Sequence, residues 1–182
     1  MLNPVFSTST PPQWIDLVER NPWLREEPET DPQGTSFTDE EIGTVFDDLK
    51  RIFKYRKDPP GKDQWGLGVW EDKVFGDGQV YVGDCDDFAF AAMENLKSIG
   101  VPIQNLHMVV CTDPENQGHM VAGVSLIGKT LLLDHQQNIV ASPTHPIFKD
   151  YSWKKMNKGN DWFSIVLVED IPEEEQEEDG PE

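Results

Sequence analysis

The hydrophobic positions change period along the chain. From Ile42 to Phe53 they fall at helical spacing, with Ile42, Val45, Phe46, Leu49, Ile52 and Phe53 on one stripe. Thr38 and Glu41 stand at capping-box spacing before it, and Asp58-Pro59-Pro60-Gly61 supplies a stop. A second helix is predicted from Asp84 or Cys85 to Ser98, burying Phe88, Ala91, Ala92 and Leu96 and ending at Gly100 and Pro102. Beyond it the period shortens. Leu106 to Thr112, His119 to Ile127 and Thr130 to Asp134 are rich in Val, Leu and Ile and bounded by turn residues, which predicts strands. The last two face each other across Gly128-Lys129, a hairpin signal, and a final strand is predicted from Trp162 to Val168.

Between the two helices, residues 62–83 hold Trp65, Trp70, Gly66, Gly68, Gly76, Gly78 and Gly83, and read as an ordered loop. Residues 1–35 are rich in Pro, Ser, Thr and acids and read as an irregular Pro-rich arm. Within it Trp14, Ile15, Leu17 and Val18 form a short amphipathic turn able to dock on the body. The predicted organisation is this arm, a single domain over 36–168 and a disordered acidic tail over 169–182. Helices first and antiparallel strands after make an α+β domain. No internal repeat is visible.

Charge narrows the function classes. The chain of 182 residues carries a net −19, and nine acids with no Lys or Arg lie between Glu169 and Glu182. The remaining 25 acids still outnumber the 15 bases, so a phosphate backbone would be repelled and nucleic-acid binding is not expected. The tail reads as a solubilising end or a docking segment for a basic protein partner. No apolar run approaches the roughly 18 residues that span a bilayer, and the N-terminus shows no secretory pattern. The expected location is cytoplasmic, or virion-associated for a bacteriophage-encoded protein. Two cysteines, Cys85 and Cys111, make no disulfide framework, and no CxxC or HExxH pattern points to zinc.

Cys85 is the candidate with chemistry. In Gly83-Asp84-Cys85-Asp86-Asp87 it opens the second helix, where free amides and the helix dipole favour a thiolate. The same amides can hold an oxyanion. The neighbouring acids oppose the thiolate, so a histidinium or a cation is needed to activate it. The competing reading of Cys85 is a small buried hydrophobe, and Cys111, inside an apolar strand, reads as core. His119 opens one hairpin strand and Asp134 closes the other. A loop of Gly128-Lys129 pairs Asp134 with Gly123; a loop of Ile127-Gly128 pairs it with Val121. Either register puts His119 and Asp134 on one sheet face, and the second sets them on a diagonal of roughly 7–8 Å. Nucleophile, base and orienting acid then follow in the order Cys85, His119, Asp134.

Gly83-Asp84-Cys85-Asp86-Asp87-Phe88-Ala89 resembles the signature of the bacterial transglutaminase-like cysteine proteinases, the LapG-like family of the papain-like and transglutaminase superfamily. Asp63, Trp65-Gly66, Trp70, Gly100-Val101-Pro102, His119-Met120-Val121, Leu132-Leu133-Asp134, Tyr151-Ser152, Asn157 and Trp162 match in order. The resemblance implies a papain-like α+β fold with the nucleophile at a helix N-terminus, packed on an antiparallel sheet. It also implies cleavage of a protein or peptide substrate through an acyl-enzyme on Cys85. It implies calcium held by Asp84 and Asp86, with Asp87 orienting the loop, although the acyl transfer itself needs no cofactor. Asp86 stands where the family has Glu, His135 where it has Asn, and Trp70 lacks the Asp-Tyr that usually precedes it. A transglutaminase-type acyl transferase uses the same parts, and a non-enzymatic assembly module, as in a virion, would keep only the fold.

Overall fold

Thr38 caps its helix as the spacing predicts. In the computed structural model, which describes residues 1–26, 36–61 and 63–168, the Glu41 amide donates to Thr38 Oγ1 at 3.2 Å. The Thr38 amide donates in return to a Glu41 carboxylate oxygen at 2.8 Å. Asp39, Glu40 and Glu41 in the first turn and Lys50 and Arg51 in the last complement the helix dipole. This helix, α2 (Asp39–Ile52), follows a strand β1 (Leu2–Thr8) and a helix α1 (Pro12–Arg20). The arm expected to be irregular is therefore structured over most of its described part. β1 pairs antiparallel with a strand more than 150 residues later in the chain, a long-range pairing that no local pattern encodes. α1 buries Trp14, Leu17 and Val18 while Ile15 stays exposed. Residues 27–35 of the arm and the acidic tail 169–182 lie outside the described residues.

α2 ends at Ile52, short of the Pro-Pro stop, because Phe53 turns extended and opens β2 (Phe53–Tyr55). The segment expected to be a loop contains β3 (Val69–Asp72) and β4 (Gln79–Gly83). β4 runs between β2, to which it is parallel, and β3, to which it is antiparallel. The glycines sit at the bends: Gly66, Gly76 and Gly78 have positive φ, so the glycine density marks turns around short strands. β2 faces β4 residue for residue, with Tyr55 beside Gly83. That pairing delivers the chain to α3 (Cys85–Ser98).

α3 is the central helix. Phe88, Ala89, Phe90, Ala91, Ala92, Met93 and Leu96 are all buried, so it is apolar around most of its circumference, as a helix packed on two sides must be. It lies against α2 on one side. On the other it meets β5 (Leu106–Thr112) and β6 (Gly118–Leu126). These strands belong to a six-stranded antiparallel sheet that also contains β7 (Lys129–Leu133), β8 (Ser152–Lys158) and β9 (Asp161–Leu167), in the order β1-β9-β8-β5-β6-β7. β8 escaped the sequence pattern because Lys154, Lys155 and Lys158 interrupt its apolar positions. The helix-facing core joins Phe46, Phe88, Met93 and Leu106 to Met108, Ala122 and Trp162. A second cluster on the opposite face joins Val109, Cys111, Val121 and Leu132 to Phe148 and Tyr151 of the segment after β7. Cys111 is core, as its strand implied. The architecture is α+β, with helices against one face of an antiparallel sheet.

Candidate active site

The β6–β7 turn decides where Asp134 falls. Leu126 pairs with Lys129, and the ladder runs on to Ala122 opposite Leu133. The two-residue loop is therefore Ile127-Gly128, with Gly128 at φ +73°. Continuing that register puts Asp134 opposite Val121 and one diagonal from His119, on the face that carries Val121 and Leu132. The two side chains meet. His119 Nε2 lies 2.8 Å from Asp134 Oδ1, and both residues are almost wholly buried. With Nε2 occupied in this way, Nδ1 is the ring nitrogen left for proton transfer.

Asp134 is held from three directions. Besides His119, the Gln136 amide donates to Oδ1 at 3.0 Å and the Tyr151 hydroxyl donates to Oδ2 at 2.8 Å. Burial alone would raise this carboxyl, but the hydrogen bonds and the positive charge His119 can carry outweigh it and hold Asp134 below its ordinary value. Burial, then the Asp134 charge and its hydrogen bond, push the Tyr151 hydroxyl well above its ordinary range, so it stays a donor. Gln137 Nε2 donates to the same hydroxyl at 3.1 Å. Sequence reasoning gave Tyr151 and Gln136 no role. Gln136 could have been found, because an acceptor at Asp134 and an amide two residues on is an Asx turn. Tyr151 is brought in by a bend through Pro146–Phe148, whose proline and His145 cap favour a turn without indicating where the chain goes after it.

Cys85 enters from the other side of the sheet at the start of α3, with its thiol against the backbone amides of Met120 and Asp86. Met120 follows His119, so the helix terminus and the strand end converge. Burial first, then the charges of Asp84 and Asp86, push the Cys85 thiol up to about 12.

The acids around Cys85 serve the helix. Asp84 caps it, accepting from the Asp86 amide at 3.1 Å, and Asp87 Oδ2 accepts from the Asp84 amide at 3.0 Å. Gly83 is required by this cap rather than by φ: a methyl group there would collide with the Asp87 carboxylate. Asp86 accepts from the Gly66 amide at 2.9 Å. Asp84, Asp86 and Asp87 each place a carboxylate oxygen within 4.8 Å of the others. Burial and then the Asp84 charge raise Asp86 to about 9, and burial raises Asp87 to about 6. Asp87 Oδ1 is buried without a hydrogen bond, the Gly68 amide pointing at this carboxylate outside bonding geometry. Among the described residues no Lys or Arg pairs with these acids. Three carboxyl groups crowded together, with one orphaned acceptor oxygen, fit a hard divalent cation, which would take the place of the protons that burial and crowding favour there.

His135, directly after Asp134, closes the site. Its ring stacks on Tyr55 at 5.0 Å and 9° between planes, and meets His119 edge-on at 5.3 Å. Burial holds it down to about 4, so it is neutral near pH 7, and its Nε2 is buried with no hydrogen-bond partner.

The family model of the bacterial transglutaminase-like cysteine proteinases matches residues 6–170. The chain belongs to that family. It is a cysteine protease with a peptide substrate. The structure is similar to that of LapG from Legionella pneumophila in its calcium-bound form, with a TM-score of 0.52 and 20% identity, over 83% of this chain and 75% of that one. A second LapG structure gives 0.53, 20%, 83% and 75%, and the EGTA-treated form gives 0.53, 20%, 83% and 73%. These likenesses show the fold. No curated protein matches the chain. Among the described residues no helix is long and apolar enough to cross a membrane.

Proposed function

We propose that the protease works through Cys85, His119 and Asp134 by an acyl-enzyme route. The observation that carries this reading is the buried 2.8 Å contact between His119 and Asp134, made at the strand end where the Cys85 thiol meets the Met120 backbone. His119 takes the thiol proton on Nδ1, and the sulfur attacks the substrate carbonyl carbon. The tetrahedral oxyanion is held by the Cys85 amide at the start of α3. The proton then passes to the leaving amine, and water releases the acyl group by the reverse sequence. Asp134 keeps the imidazole in the tautomer and orientation this needs.

Asp84, Asp86 and Asp87 would hold calcium. A divalent cation there would offset the negative charge that holds the Cys85 thiol up, and would lower the cost of forming the thiolate. Calcium-bound LapG supports this reading by analogy alone.

The test is acylation by an activated p-nitrophenyl ester, followed by intact-mass spectrometry. The reading predicts a burst of p-nitrophenol and one acyl group on Cys85, absent in Cys85→Ala and slowed in His119→Ala. Competition between water and an added amine then separates hydrolase from acyl transferase. Acylation at Cys111, or none, would overturn the assignment.

A further inference from the structure

His119, Asp134 and His135 each place one ligand atom within 4.8 Å of the other two. The backbone imposes this. Asp134 and His135 follow β7 directly; the hairpin register brings Asp134 to His119 at the start of β6, and the turn after Asp134 sets the His135 ring 5.3 Å from that of His119. His135 adds an independent observation, a buried Nε2 without a hydrogen-bond partner in a site otherwise well satisfied. An orphaned imidazole nitrogen is costly in a neutral site and useful beside a metal. The ring is fixed by its stack on Tyr55 and its contacts with Phe53 and Phe88, at 6.0 Å each. Lys50 Nζ anchors the residue by donating to its carbonyl. Asp134 is oriented by Gln136 and Tyr151, the outer support that ligating carboxylates usually have.

We propose that His119, His135 and Asp134 form a second metal site, selective for zinc or a similar borderline divalent ion, that switches the protease off. Two imidazole nitrogens and one carboxylate oxygen are a zinc donor set and a poor calcium one. Ligands at about 2.0–2.2 Å on a tetrahedron sit about 3.3–3.6 Å apart, inside the present spread of up to 4.8 Å, and water takes the fourth position. The acidic cluster at Asp84, Asp86 and Asp87 offers oxygen only, so the two sites sort cations by ligand chemistry. Zinc on His119 removes either the nitrogen that accepts the Cys85 proton or the one that Asp134 orients. Coordination displaces a proton to solvent and changes no oxidation state. The inhibitory role rests on the triad assigned above; the binding does not.

The test titrates zinc chloride into the full-length protein with calcium in excess. The four histidine rings are followed by nitrogen-detected NMR, and binding is measured by calorimetry. The expected result is one zinc per chain, with the His119 and His135 rings shifting while His107 and His145 stay in place. His135→Asn should weaken binding at least tenfold, and Asp86→Asn should leave it unchanged. No zinc binding, a shift of His119 without His135, or wild-type affinity in His135→Asn each overturns the site. Acylation of Cys85 is measured alongside and should stop at one equivalent of zinc. Zinc at the two histidines with full acylation would overturn the inhibitory role. Failure of Cys85 to acylate in zinc-free protein would remove the triad reading while leaving the zinc titration to stand by itself.

Discussion

Tyr151 shows what one side chain adds to the site. Its hydroxyl is 2.8 Å from Asp134 Oδ2, and a hydrogen bond to a charged group contributes about 1.5–3 kcal/mol. Tyr151→Phe should therefore raise the Asp134 pKa and lower kcat/KM by about tenfold, with less effect on KM. Steady-state kinetics checks it, and an unchanged kcat would make Tyr151 a packing residue only. At this scale the geometry was legible wherever it rested on local rules. Cys85 at a helix start and His119 with Asp134 on one sheet face followed from capping and pleat. The contact of Tyr151 with Asp134 and the stack of Tyr55 on His135 were hidden because they join residues of different segments of the chain.

Among elements, the start of α3 depends on a backbone detail. Asp87 reaches back to cap Asp84 across the space a side chain at position 83 would fill. Gly83→Ala should cost about 1–3 kcal/mol through overpacking, with slower acylation of Cys85 because the helix terminus shifts. Urea unfolding measures the first effect, and a variant as stable as wild type would show that the cap relaxes freely. Periodicity and capping placed α3, β5 and the start of α2 almost to the residue, but the end of α2 was set too late because Phe53 turns into β2 before the Pro-Pro stop. β1 to β4 and β8 were missed because they are short, glycine-flanked or lysine-interrupted, and are ordered by partners distant in sequence.

For the whole molecule, buried imidazole sets an acid limit. His107 is fully buried, with Nδ1 2.7 Å from the Asn157 carbonyl and Nε2 2.7 Å from Ser125 Oγ. Burial holds its pKa down to about 4, against an ordinary 6.5. The unfolded chain takes up this proton first. The stability it contributes is therefore fully present above about pH 6.5 and is lost as pH falls through 4, on the order of 3 kcal/mol. NMR should show the His107 ring neutral from pH 8 to 5, with unfolding free energy declining below 6.5. A ring titrating near 6.5 would contradict that. The α+β class was legible from the change of period alone. The order of the sheet was not, because it depends on the first strand pairing with the last.

In the proposed mechanism His119 activates the Cys85 thiol against the field of its own neighbouring acids. The most direct measurement is the rate of iodoacetamide alkylation of Cys85 between pH 5 and 9, in wild type and His119→Ala, with and without calcium. Cys111→Ser serves as the background in both. Labelling should be appreciable below pH 7, faster with calcium, and lost in His119→Ala. Labelling that rises only above pH 8.5 and is indifferent to both His119 and calcium would contradict it.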